Sequence, residues 1–208
     1  MGQEMKFRKT NTYSLFEQCV PNYRNETILD FGGNRGNLLD GDINPRKYTC
    51  LDISREGLDA LPNGVKSIHW NRHHSYYNPN GKAHEPFPKI PWHGIVFANS
   101  VFTHHILDEA LYCIGNLSHY TNRIVFTYID PKNETFLEKF REKYYDLKFE
   151  GGDVSYTRDE KDILWSAFDT EYLKSKLDFH NIKTGTTDWF NYMDITVRSP
   201  VSPGIIGY

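Results

Sequence analysis

Ile28-Leu29-Asp30-Phe31-Gly32-Gly33-Asn34-Arg35-Gly36-Asn37 is the stretch whose reading decides the fold. A short apolar run enters a turn of glycine and asparagine, the pattern of a buried strand ending in a tight bend. Glycine there lets main chain approach a ligand that a Cβ would hold off, and a helix beginning just beyond would offer free N–H groups. Two cofactor patterns compete. A dinucleotide fingerprint G-x-G-x-x-G ending at Gly36 needs glycine at position 31, where Phe31 stands. The pattern D-x-G-x-G-x-G fits Asp30, Gly32 and Gly36 and puts Asn34 at the middle glycine, and asparagine tolerates positive φ best after glycine. The carboxylate of Asp30 suits a cationic ligand and disfavours a pyrophosphate.

Outward from this stretch, strands are expected at 47–53, 65–70, 94–99 and 123–129. A closing pair at 181–188 and 190–198 is separated so briefly that it should form an antiparallel hairpin. Helical patterns lie between them: 55–61 with Ser54 as N-cap, 108–117, 133–145 with Phe136 and Leu137 on one face, and 170–177 behind Asp169. The segment after Gly36 is too short and too marked by Gly and Pro for a helix. Strands alternating with helices imply an α/β fold, a parallel sheet covered on both faces by right-handed crossovers. No linker or repeat divides the chain, so residues 1–208 read as one domain with an N-terminal helical segment at 1–26.

In such sheets ligands bind beyond the carboxyl ends of the strands, near the topological switch point. The second strand ends in Cys50-Leu51-Asp52-Ile53, and Asp52 follows Asp30 by 22 residues. A carboxylate there can accept hydrogen bonds from both hydroxyls of a ribose. Either aspartate alone could simply cap a turn; the pair at this spacing favours a ligand.

Composition narrows the function. Of 208 residues, 38% are hydrophobic and 15% aromatic, enough to build a core. The 24 basic and 27 acidic residues give a net charge of −3, no footprint for binding a nucleic-acid backbone. The apolar runs fall short of a membrane span, and the first residues carry no apolar signal-peptide core. Lys6 stands where N-myristoylation of Gly2 would want Ser or Thr. Cys19, Cys50 and Cys113 have no metal-ligand spacing. The expectation is a cytoplasmic protein with no membrane or nucleic-acid partner. One oddity stands out: eight of the nine histidines fall between His69 and His119.

Several motifs in order resemble the class I S-adenosylmethionine-dependent methyltransferases over roughly residues 27–198: ILDFGGNRGNLL, YTCLDIS, GIVFANSVFTHH, RIVFTYIDP and the closing DFHNIKTG…DWFNYMDITVRS. The chain is similar in particular to a bacterial-type subgroup with an N..YNP.G stretch, here Asn71…Tyr77-Asn78-Pro79-Asn80-Gly81. An S-V-F-T-H motif, Ser100 to His104, follows it. It departs at Asn34, for the middle glycine, and at His93, where many members have Asp. The resemblance implies a seven-stranded, mostly parallel sheet of order 3-2-1-4-5-7-6, helices on both faces and a C-terminal antiparallel hairpin. It implies S-adenosyl-L-methionine as cofactor, released as S-adenosyl-L-homocysteine. Asp30, Gly32, Gly33 and Gly36 would serve its methionine portion, Asp52 and Ile53 the ribose and one adenine face. Asn71 and Arg72 would lie near the adenine edge, and Asn99 and Ser100 would line the cofactor largely through backbone.

Among methyltransferases, two kinds are disfavoured. Enzymes acting on exocyclic amines of DNA bases usually carry Asn/Asp-Pro-Pro-Tyr/Phe after the fourth strand, where this chain has Asn99-Ser100-Val101-Phe102. Catechol-type enzymes need carboxylate ligands for Mg²⁺, and Asp130 finds no second. Metal-independent transfer to a small-molecule or glycan acceptor is left, with oxygen slightly ahead of nitrogen. Methylating oxygen requires a proton to leave the acceptor, which histidine can take near neutral pH. His104 and His105, after the fourth strand, are the first candidates, and His73 and His74, after the third, the second. Any of them could instead only shape the pocket. Spacing argues against a metal held by these four, since adjacent histidines point different ways. Two long irregular stretches, 71–92 (Tyr76, Tyr77, Phe87, Trp92) and 145–168 (Tyr145, Phe149, Tyr156, Trp165, Phe168), would form the acceptor pocket or a lid. The rival readings are a catalytically silent cofactor-binding partner protein and a nicotinamide (NAD)-dependent oxidoreductase.

Overall fold

A computed structural model describes residues 12–143, 149, 152–179, 181–187 and 190–197. The first helix, α1, runs through residues 12–19. The main sheet holds β1 (Ile28–Phe31), β2 (Tyr48–Asp52), β3 (Lys66–His69), β4 (Ile95–Ala98), β5 (Arg123–Tyr128), β8 (Asn181–Thr186) and β9 (Asn191–Thr196) in the order β3-β2-β1-β4-β5-β9-β8. The first five strands are parallel, and β9 runs antiparallel to both β5 and β8. Two further strands, β6 (Val154–Arg158) and β7 (Leu164–Phe168), form a separate antiparallel pair. With these counted apart, the order is the one expected from the sequence, and each expected strand lies within two residues of its place. Helices α2 (Arg55–Asp59), α3 (Leu107–Leu117), α4 (Glu134–Lys143) and α5 (Thr170–Lys176) stand where the helical patterns fall.

The strands of the sheet centre are buried along their length because both faces are covered. Successive side chains point to opposite faces, which divides the core in two. Leu29, Phe31, Leu51, Val96, Ala98 and Phe126 pack with Ala110, Ile114 and Leu117 of α3 and with Leu173 of α5. Ile28, Tyr48, Cys50, Ile95, Phe97 and Val125 meet Leu15, Phe16, Cys19 and Val20 at α1, and Leu58 of α2. Phe16 is fully buried, its ring edge-on to Phe97 at 5.0 Å. Arg123 pins the exit of α1 to the sheet: Nε and Nη2 donate to the two carboxylate oxygens of Asp194 at 2.8 and 2.9 Å, and Nη2 also reaches the Cys19 carbonyl at 3.1 Å.

The stretch 145–168 departs from the irregular reading. Tyr145 lies outside the described residues, but 154–168 is the regular hairpin β6–β7. Its turn is closed by Asp159, whose Oδ1 accepts the amide hydrogens of Lys161 and Ile163 at 2.9 Å, while Asp162 adopts φ 59°. The hairpin roofs a third apolar cluster of Ile129, Phe136, Leu137, Trp165 and Ala167. Among the described residues, its β-bridge to the large sheet is Ile129 to Ala167. No helix among the described residues is long and apolar enough to cross a membrane.

Candidate active site

In this strand order the chain reverses direction across the sheet between β1 and β4, so the switch point lies at their carboxyl ends. The glycine turn fills that place. Gly32, Asn34 and Gly36 all have positive φ (74°, 48° and 74°), so asparagine at the middle position takes the conformation it tolerates best. A short 3₁₀ helix, Asn37–Asp40, follows in place of a longer α-helix. Gly32 has a second reason to be glycine: a Cβ there would lie 2.4 Å from Val101 Cγ2. The turns after β1 and β4 are thus in direct contact.

Asp30 lies beneath the turn. Its carboxyl is 3% exposed and accepts the Tyr48 hydroxyl at 2.6 Å, and a Cβ on Gly33 would meet it at 2.5 Å. Burial is the main cause that raises its pKa from 3.8 to about 7; the Tyr48 bond opposes the rise and Asp52 adds to it. Asp52, at the end of β2, is 7% exposed; Oδ2 accepts the Asn34 amide at 2.8 Å and Oδ1 the Ser54 amide at 2.7 Å. Burial raises its pKa too, against these amide bonds. The carboxylate therefore ties the glycine turn to the start of α2. A carboxylate has about four acceptor positions, so roughly two remain for a ligand. Ile53 is partly buried against the α3-side core, and its carbonyl meets His69 Nε2 at 3.1 Å.

Beyond β4, Asn99 and Ser100 are held by a residue that the sequence reading did not single out. The buried Thr127 of β5 accepts the Ser100 amide at 2.7 Å and donates to Asn99 Oδ1 at 3.1 Å. Ser100 is kept at φ 56°, a costly conformation outside glycine. The one available signal was a polar residue inside the apolar run Ile124–Ile129, numbered 124–129 in the sequence. Asn71 accepts from Asn78 Nδ2 at 3.2 Å, and Arg72 pairs with Glu109 at 3.5 Å, so the loop after β3 is fastened both to itself and to α3.

The four candidate histidines separate into different environments. His73 is exposed, with Nδ1 at 3.2 Å from the Pro79 carbonyl. His74, His104 and His105 lie close enough that His104 and His105 both act on His74 electrostatically. His104 Nδ1 is 2.8 Å from the Leu164 carbonyl of β7, and His105 Nδ1 is 2.9 Å from the Val101 carbonyl. A nitrogen facing a carbonyl must carry the proton, so each of these rings keeps its lone pair on Nε2. His74 is the reverse: Nδ1 accepts the amides of Tyr76 and Tyr77, both at 3.2 Å, which puts the proton on Nε2. Burial above all lowers the pKa of all three, that of His74 to about 4, so they are neutral at pH 7. Aromatic rings surround them: Tyr77 lies 4.8 Å from His74 and 5.9 Å from His104, and Trp165 4.5 Å from His104, between ring centres.

The remaining polar candidates are committed elsewhere. Asp130 accepts from the Lys132 amide and from Thr170, and His93 bridges the Pro91 carbonyl and the Thr49 hydroxyl. Among the described residues no three His, Cys, Asp or Glu are grouped to hold a metal. Tyr13 packs against Gly41, and its hydroxyl donates to Glu17 at 2.9 Å.

No protein-family model matches the sequence, and no curated protein matches it either. Solved structures do match in fold. A protein of Nostoc punctiforme PCC 73102 superposes with a TM-score of 0.61 at 8% identity, over 92% of this chain and 57% of that one. The glycopeptide N-methyltransferase MtfA complexed with S-adenosyl-L-homocysteine gives 0.56 at 8% identity, over 90% and 89%. The 1,6-didemethyltoxoflavin-N1-methyltransferase of Burkholderia thailandensis, with 1,6-didemethyltoxoflavin and S-adenosylhomocysteine bound, gives 0.51 at 11% identity, over 92% and 78%. What the chain shares with them is the fold.

Proposed function

We propose that the protein is an S-adenosylmethionine-dependent methyltransferase acting on a small-molecule or glycan acceptor, with oxygen favoured over nitrogen as the methylated atom. The observation that carries the reading is Asp52, a buried carboxylate at the switch point that braces the glycine turn and still has acceptor positions left. Those acceptor positions suit a nucleoside whose two vicinal hydroxyls donate, and Ile53 beside it offers an apolar face for a base. Asp30, Gly32, Gly33 and Gly36 are assigned to the methionine portion, Asn71 and Arg72 to the adenine edge, and Asn99 and Ser100 to the rim opposite. Asp30 would act on a cationic group across the Gly33 backbone rather than by touching it.

When bound, the cofactor supplies a methyl group on a sulfonium, whose sulfur leaves with the electron pair of the broken bond. The chain then has two tasks: to hold the acceptor in line and to receive its proton. Position supplies most of the acceleration in such a displacement. His104 and His105 are neutral at pH 7 with bare Nε2 atoms, the state a proton acceptor needs. The stretches 71–92 and 145–168 would wall the acceptor pocket, the second as the β6–β7 hairpin.

Titration calorimetry with S-adenosylhomocysteine and, separately, NADH tests the reading. Binding of the homocysteine nucleoside alone is expected. NADH binding alone would establish the oxidoreductase instead, and turnover of no acceptor by a cofactor-bound protein would leave the silent partner.

A further inference from the structure

The three rim imidazoles differ in what they offer. His104 and His105 present bare nitrogens, His74 a nitrogen that bears hydrogen, and each state is imposed by backbone groups rather than by solvent. The opposition is fixed before any ligand arrives. We propose that this site, in the methyltransferase inferred above, selects a ring carrying a hydroxyl with a second oxygen on the adjacent carbon. The hydroxyl donates to Nε2 of His104 or His105, while Nε2–H of His74 donates to the neighbouring oxygen.

Three observations beyond the tautomers support this. Tyr77 touches both kinds of imidazole and Trp165 backs His104, so flat apolar surfaces flank the polar atoms and suit a ring. A lone hydroxyl would leave the His74 N–H without a partner once water is excluded, at the cost of a buried unsatisfied donor. Among the described residues a protonated amine finds no available carboxylate. Asp159 is held by amides of the hairpin turn and by the Trp165 indole, Asp162 pairs with Arg158, and Glu109 pairs with Arg72. Arg158 and the other imidazoles also disfavour added positive charge at His74.

The vicinal oxygens could belong to a phenol or to a sugar, and paired probes distinguish them. With S-adenosylhomocysteine-saturated full-length protein, 2-methoxyphenol is compared with 4-methoxyphenol, and trans-1,2-cyclohexanediol, as the saturated sugar-like probe, with trans-1,4-cyclohexanediol. In one of the two pairs the vicinal member is expected to bind about tenfold tighter, the scale of one hydrogen bond. His74→Phe should reduce that ratio to about one, and His74→Gln, which keeps an N–H donor, should retain most of it. Nitrogen-15 NMR of labelled histidines in the ligand-free protein reads the tautomers independently of any cofactor: a bare Nδ1 on His74 and bare Nε2 on His104 and His105. Ratios near one in both pairs, or a protonated Nδ1 on His74, overturn the proposal even where cofactor binding is intact. Loss of nucleoside binding in the wild type would overturn the methyltransferase reading instead.

Discussion

Replacing Asp30 by asparagine should stabilise the protein in alkaline solution and leave it little changed in acid. The carboxyl is buried and its pKa rises from 3.8 to about 7. Between those values the native state keeps a proton that the unfolded chain has released. Stability therefore falls as pH rises through this window and levels off above it. A displacement of about three pH units, at about 1.4 kcal/mol each, gives about 4 kcal/mol as the full cost of an ionised Asp30. Asp30→Asn carries no such charge and keeps an oxygen for the Tyr48 hydroxyl. Its stability relative to wild type should thus improve by about 4 kcal/mol between pH 4 and pH 8. The buried imidazoles His104 and His105, with lowered pKa values, act in the opposite sense, losing stability as pH falls below 6.5. They are common to both proteins and cancel in the difference. Urea unfolding of the two proteins from pH 4 to 8 supplies the measurement. A difference that stays constant within about 1 kcal/mol across that range would refute the buried, proton-holding carboxyl.

Three further outcomes are expected. Phe16→Ala empties a fully buried site between α1 and Phe97, and should lower unfolding free energy in urea by about 3–5 kcal/mol. Asp52→Asn places an amide N–H against the Asn34 or Ser54 amide; it should cost about 1–3 kcal/mol of stability by denaturant unfolding and weaken S-adenosylhomocysteine in calorimetry. Ser166→Ala removes a fully buried hydroxyl that has no hydrogen-bond partner among the described residues; thermal unfolding should show a neutral or higher Tm, by up to about 1 kcal/mol in equivalent stability.

The β1 turn and the alternation of strands with helices disclosed a parallel sheet covered on both faces, because strands buried on two faces read as continuous apolar runs between helical patterns, while the strand order came from the resemblance to the class I methyltransferases. The β6–β7 hairpin was less visible. Its strands, VSYTR and LWSAF, carry alternating residues, but they flank a charged turn with neither Asn-Gly nor Asp-Gly to announce a hairpin. The site was legible in outline and hidden in detail. Asp30 and Asp52 stand at the strand ends where their spacing put them, yet one is sealed under Gly33 and the other grips the Asn34 amide. Those partners come from other segments of the chain. The histidine pairs show the same limit: composition marked the cluster, but the division into bare and protonated nitrogens depends on the Leu164 and Val101 carbonyls and two loop amides.

Among the described residues, the β6–β7 pair meets the large sheet through one bridge, and it meets the rim through the His104–Leu164 bond and a Tyr156 hydroxyl that accepts the Leu107 amide at the start of α3. This arrangement is modular. Residues on the hairpin can change without disturbing the ladder of the large sheet, while changes at Leu164 and Trp165 act directly on His104. Under the function proposed above, such a chain could acquire a new acceptor by drift in fifteen residues (154–168), with the glycine turn and Asp52 untouched.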